Sequence, residues 1–453
     1  MVIASLAALL WMALRWYHPG HVIAYIDLFP VYTPMVLFAK TVWAWSHASS
    51  PFGRFGLPTF STYYLLYSAL IAITNAGMAQ ALLFWLFLAM GWLGVFALCR
   101  SLGLGVTAAF FAGWAYTLNP FAQCLVGFNT ASTEAATLPW IYWMIHRAAI
   151  DRGARPLMTA IAVASSFLVL CWIASTPQLF FELILLTVPW CVFMALRSDR
   201  GFLAWLAASV ALCVVASAWW LVPVGVAILS NSVTHATLAS FDSWTFSNSS
   251  LLNDMRFLST WAWQLPYYFP YSHGYDANVF TYAAGFWGIV LLCAGFLFIR
   301  SAFAPIVRFF AAVVLVAIFI EKGPHEPLGW VNLLIYHIPG FVLLIQPAGL
   351  TIGALLAAGV VAGVVIEELL RAARASRPAA IAAGAVMVGS VAAALFAASP
   401  LLNGLMFSGA RGDSSDYVAI PNYWRQASSY LASVDGNGSV LVLPVDDFYQ
   451  QSY

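Results

Sequence analysis

A chain of 453 residues in which only 8% are charged has few side chains able to do acid–base chemistry. Asp27 stands in AYIDLFP, residues 24–30, a few residues after the first apolar run. An ionisable side chain at membrane depth or just above it costs several kcal/mol unless it is hydrated or paired, so its presence asks for a reason. One reason is catalytic, a carboxylate that takes a proton from an acceptor hydroxyl as general base. The other is structural, an N-cap for a helix starting near Pro30, a role Asp fills well. Glu134, in NTASTEAATLPW, opens a later apolar run and offers an acid, a metal ligand or a substrate hydrogen bond. It equally fits a capping pattern, because the helix dipole favours a Glu in the first turn. Glu182, in TPQLFFELILL, lies deeper in its apolar run, where buried acids face a cavity or a partner.

Two loops add further candidates. Residues 230–278 combine Asp242, Asp254, Arg256, His273 and Asp276 with WAWQLPYYFPYSHGYD, which includes Trp263 and Tyr267. Aromatic faces beside carboxylates and amides suit a carbohydrate cleft, since rings stack on sugar C–H faces while polar groups fix hydroxyls. An interfacial aromatic belt is the commoner origin of such a stretch. Arg256 fits a phosphate clamp, because a guanidinium binds two phosphate oxygens at once; an ion pair with Asp254 is the alternative. EKGPHEPLGW contributes Glu321, Lys322, His325 and Glu326, a set able to hold a metal or a pyrophosphate-like head group, although the spacing matches no zinc pattern. No P-loop, dinucleotide fingerprint, nucleophile elbow or HExxH stands in a supporting context.

The elements that must position these residues are membrane helices. Composition is 63% hydrophobic and 8% charged, against roughly a quarter charged in ordinary soluble domains, and a net charge of +1 gives no electrostatic reason to expect nucleic acid. The six cysteines show no pairing pattern and read as small apolar residues. The first apolar run lacks a basic n-region and reads as a retained helix. Stretches apolar enough to span run near 1–17, 77–99, 105–119, 134–146, 156–175, 178–196, 202–229, 279–299, 303–320, 349–366 and 378–398, about eleven spans by the helix-length rule. Arg100, Arg147, Arg152, Arg155, Arg197, Arg200, Arg300, Arg371, Arg374 and Arg377 fall in every second loop, which predicts a cytoplasmic N-terminus and long outer loops at 18–76, 120–133, 230–278 and 321–348. Apolar stretches at 30–46 and 59–73 predict interfacial helices, being rich in Tyr, Trp and Ser. Residues 1–399 are therefore expected to form an all-α polytopic domain. Residues 400–453, with an amphipathic helix, a turn and the run SVLVLPV, are expected to begin an α/β or β-rich extracytoplasmic domain. One strand and one helix bury too little to fold alone, which predicts that the domain continues beyond this chain.

Three stretches read together, DLFPVYTPMVLFAKTVWAWSHASSPFGRFGLPTFSTYYLL, YTLNPFAQCLVGFNTASTEAATLPWIYW and YHIPGFVLLIQPAGL, resemble the large GT-C type of membrane glycosyltransferase. The likeness is to mycobacterial-type α-(1→3)-arabinofuranosyltransferases and related cell-wall glycosylation proteins. The resemblance implies a GT-C-like bundle in the cell membrane, active on its outer face. It implies a polyprenyl-phosphate sugar as lipid-linked donor, a glycan or glycolipid acceptor, contact with membrane lipids and none with nucleic acid. A divalent metal is a candidate cofactor. Asp27 matches the acidic position of the first outer loop, and Glu134 corresponds more loosely to a second one. Where relatives carry Arg after the IPGF hydrophobics this chain has Gln346, so Arg256 or Lys322 is the candidate for contacting phosphate, with His325 among the other substrate-binding candidates. Two other classes compete: a flippase of lipid-linked sugars, which needs ionisable residues deep in its spans, and a non-catalytic scaffold with an outer binding domain. Mid-span charges are nearly absent, which favours the enzyme.

Overall fold

Lipid offers backbone groups no water, so apolar runs of this length close their own hydrogen bonds as helices. The computed structural model describes residues 1–24, 61–126, 129–174, 176–230, 246–260, 269–298, 302–338, 349–374, 376–407, 416–419 and 422–433, with residues 35, 45–46, 54–55, 263 and 341. Eight described helices are long and apolar enough to cross a bilayer: Ala76–Ser101, Arg152–Ile173, Gln178–Ala195, Arg200–Pro223, Val279–Phe296, Ala304–Glu321, Leu350–Ala373 and Arg377–Ala397. The protein is an all-α polytopic membrane protein. The other three expected spans are also helices, at Val2–Arg15, Val106–Thr117 and Asn129–Ile150. The first two have 14 and 12 residues, fewer than the about 20 that a full crossing takes.

Leu350–Ala373 is the central helix. Of its apolar window 94% is buried, against 6% for Arg377–Ala397 at the periphery. It packs against Val106–Thr117, Val279–Phe298, Ala304–Glu321 and Arg377–Ala397. Small residues make this possible, because helices in lipid gain from close backbone approach. A Cβ on Gly363 would lie 3.1 Å from Ala112 Cβ, and one on Gly359 3.1 Å from the Ala112 carbonyl oxygen.

Polar contacts tie the helix ends into two layers. At one end Arg152 and Arg155 both reach Asp199, at 2.9 and 3.2 Å. There the Gly105 N–H donates to Glu367 (2.8 Å), and His146 Nδ1 meets Ser101 Oγ at 3.0 Å. This arginine end is the one that alternating basic loops predict. At the other, the loop end, Trp16 Nε1 donates to the Leu401 carbonyl (2.8 Å), and Gln123 and Tyr275 both donate to the Ala397 carbonyl. Leu401, Met406 and Phe407 are fully buried against the bundle, and the chain then forms the strand Tyr417–Val418 and the helix Asn422–Ser433. Within the first long loop, Ser61–Ile73 is a 13-residue helix of about 20 Å, too short to cross. It packs Tyr63 and Tyr67 with Trp172.

A buried carboxylate cluster as the candidate active site

The loop end collects acids from four separate parts of the chain. Glu134 is carried about 8 Å inside the start of Asn129–Ile150, and Glu182 equally far inside Pro177–Ala195, at 1.5 Å per residue. Glu321 is the last residue of Ala304–Glu321. Asp254 sits on the short helix Leu251–Met255, whose Ser250 cap accepts from the Asn253 N–H (3.2 Å). All four are at most 1% exposed. Glu182 feels the charges of Glu134 and Glu321, Glu321 feels Asp254, and Asp254 feels Lys322, so the acids form one electrostatic chain.

Their oxygens are largely unsatisfied. Among the described residues neither oxygen of Glu134 or Glu182 has a hydrogen-bond partner, Glu321 Oε1 has none, and Asp254 has only the Ser259 hydroxyl beside it. Glu321 Oε2 receives only a long contact from Ser259 Oγ (3.4 Å), and Thr351 stands beside it. Burying an ionised carboxylate without partners costs several kcal/mol, so such a group persists where it takes a proton, a cation or the hydroxyls of a ligand. Gly349, the residue before the central helix, sets one of these acids. A Cβ there would fall 1.7 Å from Glu182 Oε2, so only glycine lets that carboxylate lie against the helix start, where the dipole favours negative charge.

A hollow near the start of Asn129–Ile150 is walled by Phe84, Leu88, Gly91, Tyr116, Ser132 and Ala135, and none of the four acids lines it. Ser132 and Ala135 flank Glu134, and the Tyr116 hydroxyl donates to the Ala135 carbonyl (2.7 Å). Its walls are mostly apolar. A second hollow, between Phe257, Trp287, Gly359 and Ser390, likewise has no acidic or basic side chain in its lining.

The remaining sequence candidates are distributed as follows. Lys322 is buried; its Nζ donates to the His325 carbonyl (2.7 Å) and lies over the Phe319 ring. Burial lowers its pKa, with Glu326 and Asp254 opposing. Arg256 is buried and bound to Asp276 Oδ1 (3.0 Å) and Asn253 Oδ1 (2.6 Å), over the face of Tyr282. Its ion-pair partner is thus Asp276 and not Asp254, because Asp254 turns inward. Trp263 donates to Asp276 Oδ2 (3.1 Å) and packs among Phe269, Tyr271 and Tyr275. His325 Nε2 meets the Phe246 carbonyl at 2.8 Å. Asp27, Tyr267 and Gln346 lie outside the described residues. Among the described residues no three of His, Cys, Asp and Glu stand close enough to hold a metal ion. Sequence reasoning did not unite Glu321 and Asp254 with Glu134 and Glu182. No local signal ties them together: Glu321 ends an apolar helix, while Asp254 stands in a loop two residues before Arg256.

Asp254 makes the cluster visible in a stability measurement. Burial pushes its carboxyl up to about 8, with the Lys322 charge pulling the other way. Below about pH 4 it is protonated both folded and unfolded. As pH rises toward about 8 the unfolded chain releases this proton while the folded one keeps it, so stability falls over that interval and levels off above it. Melting temperatures from about pH 4 to 9 in detergent are expected to show this decline, and Asp254→Asn is expected to remove its share.

No protein-family model and no curated protein matches the sequence. The fold does have solved counterparts. The single-particle cryo-EM structure of arabinofuranosyltransferase AftD from Mycobacteria matches with a TM-score of 0.65, over 96% of this chain and 28% of that one, at 18% identity. A point mutant of the same enzyme matches with a TM-score of 0.60, over 96% and 30%, at 17% identity. The chain shares the fold of the matched part of AftD. It spans less than a third of AftD's length.

Proposed function

We propose that the protein is a GT-C-type glycosyltransferase. In this reading it moves a sugar, with arabinofuranose as the candidate, from a polyprenyl-phosphate donor to a cell-envelope glycan or glycolipid on the outer face of the membrane. The observation that carries the reading is the set of buried, unpartnered carboxylates gathered at the loop end of a fold shared with an arabinofuranosyltransferase. Sugars present many hydroxyls, and carboxylates without internal partners are acceptors waiting for donors. Asp27 takes the proton of the acceptor hydroxyl as that oxygen attacks the anomeric carbon in line, and the polyprenyl phosphate departs. Glu134 and Glu182 hold sugar hydroxyls, the apolar hollow walled by Phe84 and Tyr116 takes the start of the prenyl chain, and Lys322 supplies a positive charge for the leaving phosphate.

The flippase reading finds less support. Among the described residues the buried ionisable side chains are Glu134, His146, Glu182, Asp254, Arg256, Glu321 and Lys322. All lie toward helix ends or in loops, so among the described residues no buried charge stands in the middle of the bundle.

Binding tests the reading directly. A short-chain polyprenyl-phosphate pentofuranose is expected to raise the melting temperature of the purified protein, with about 2.7 kcal/mol of stabilisation at a hundred times the dissociation constant. A nucleotide sugar is expected to have no effect. Stabilisation by the nucleotide sugar alone would overturn the lipid-linked donor.

A further inference from the structure

Beyond Glu321 the chain turns back and forms one more helix, Gly329–Tyr336. Its inner face is Gly329, Asn332 and Tyr336, all buried and spaced to share one side of a helix. Asn332 fastens that side to the end of the preceding span, its Nδ2 donating to the Phe319 carbonyl at 2.8 Å and to the Gly323 carbonyl at 2.6 Å. Glycine is required at the start, because a Cβ on Gly329 would lie 1.9 Å from the Pro324 carbonyl oxygen. These contacts tie the helix to the acid cluster in two places. Lys322, whose charge Asp254 feels, donates to the His325 carbonyl in the intervening turn, and Tyr336 feels the charge of Glu182.

The outer face has the opposite character. Trp330 is 62% exposed, Leu334 59%, Leu333 42% and, just past the helix, Ile338 49%. Residues 328–338 contain no Asp, Glu, Lys or Arg. A helix turned to water carries polar residues on its free side, so a loop that only covers the acids accounts for the buried face and not for this one. The preceding span shows what meets it. Ala304–Glu321 exposes Ala312, Leu315 and Val316 along one side, and the half-buried Phe319 is next on that stripe at helical spacing. Exposed apolar side chains on a membrane span face lipid, and Phe319 is the residue whose carbonyl Asn332 binds. The lipid-facing surface of the span therefore continues onto the short helix. A Trp among aliphatic side chains at the end of a span is what the lipid–water boundary selects.

We infer that Gly329–Tyr336 is an interfacial anchor, lying in the leaflet at the loop end with Trp330, Leu333 and Leu334 among the lipids. It holds Lys322 and the acids at head-group depth, where a lipid-linked donor carries its phosphate. The placement of the helix rests on the fold alone; its service to the donor rests on the glycosyltransferase reading.

Nitroxide labels at Trp330→Cys and at Leu334→Cys test the placement in phosphatidylcholine nanodiscs, in protein that also carries Cys293→Ser to remove the exposed thiol. Labelled Cys293→Ser protein gives the background. Both labels are expected to collide more with oxygen, which concentrates in lipid, than with a water-soluble nickel chelate. Greater access to the nickel chelate at either position would overturn the inference and leave this face to a protein partner. The pair Trp330→Glu and Leu334→Glu tests the service to the donor. It is expected to lower turnover of a long-chain donor in nanodiscs about 10- to 100-fold, the cost of a small misplacement, with turnover of a short-chain donor in detergent at the wild-type level. Trp330→Ser with Leu334→Ser, which adds no charge, serves if the glutamate pair does not fold. Equal losses with both donors would reduce the helix to a structural part and overturn its role in setting depth. No transfer by the wild type from any donor, with both labels still in lipid, would instead remove the glycosyltransferase reading.

Discussion

Replacing Asp27 with Asn is expected to lower sugar transfer by about 10²- to 10⁴-fold, the usual contribution of a positioned general base, with the melting temperature unchanged. The substitution separates the two meanings of this residue. Asn caps a helix N-terminus as well as Asp does, so if Asp27 only starts a helix near Pro30 the variant keeps both its fold and its turnover. If Asp27 takes the acceptor proton, an amide of the same shape cannot, and kcat falls with little change in donor KM. Initial rates with a labelled polyprenyl-phosphate sugar, alongside a melting curve, give both readouts on one preparation.

The second large effect is expected at Glu182. Glu182→Gln is expected to reduce turnover at least about tenfold while stability stays constant or rises. A carboxylate that serves the fold has partners, and neutralising it leaves them unpaired at a cost of about 3–5 kcal/mol. Glu182 has no partner among the described residues and is pressed against the start of the central helix at Gly349. Removing its charge relieves desolvation and breaks no bond. A gain in stability together with a loss of activity is the signature of a group kept for function. A clear fall in melting temperature without loss of turnover would assign Glu182 to the fold instead.

Much of the architecture was readable before any coordinates. Apolar runs set the helices because lipid leaves the backbone no alternative. Alternation of arginine loops marked one end, where Arg152 and Arg155 meet Asp199 and Glu367 caps the helix at Gly105. Glu134 and Glu182 stood out as acids in apolar surroundings. Their convergence with Glu321 and Asp254 was not readable, because four carriers far apart in sequence meet only through packing around the central helix. Arg256 illustrates the same limit: proximity in sequence suggested Asp254, yet the chain returns twenty residues later and supplies Asp276. Trp263, one residue of the aromatic stretch, is enclosed by Phe269, Tyr271 and Tyr275, neighbours that follow it within twelve residues.

The central claim is that a lipid-borne sugar changes hands at the loop end of this bundle. Purified protein in lipid nanodiscs, given a radiolabelled polyprenyl-phosphate pentofuranose and an oligosaccharide acceptor, tests it most directly. The account predicts label in a lengthened glycan and release of polyprenyl phosphate in equal amount. Intact donor and no labelled glycan with every pentofuranose and acceptor offered, from protein that still binds the donor, would contradict it.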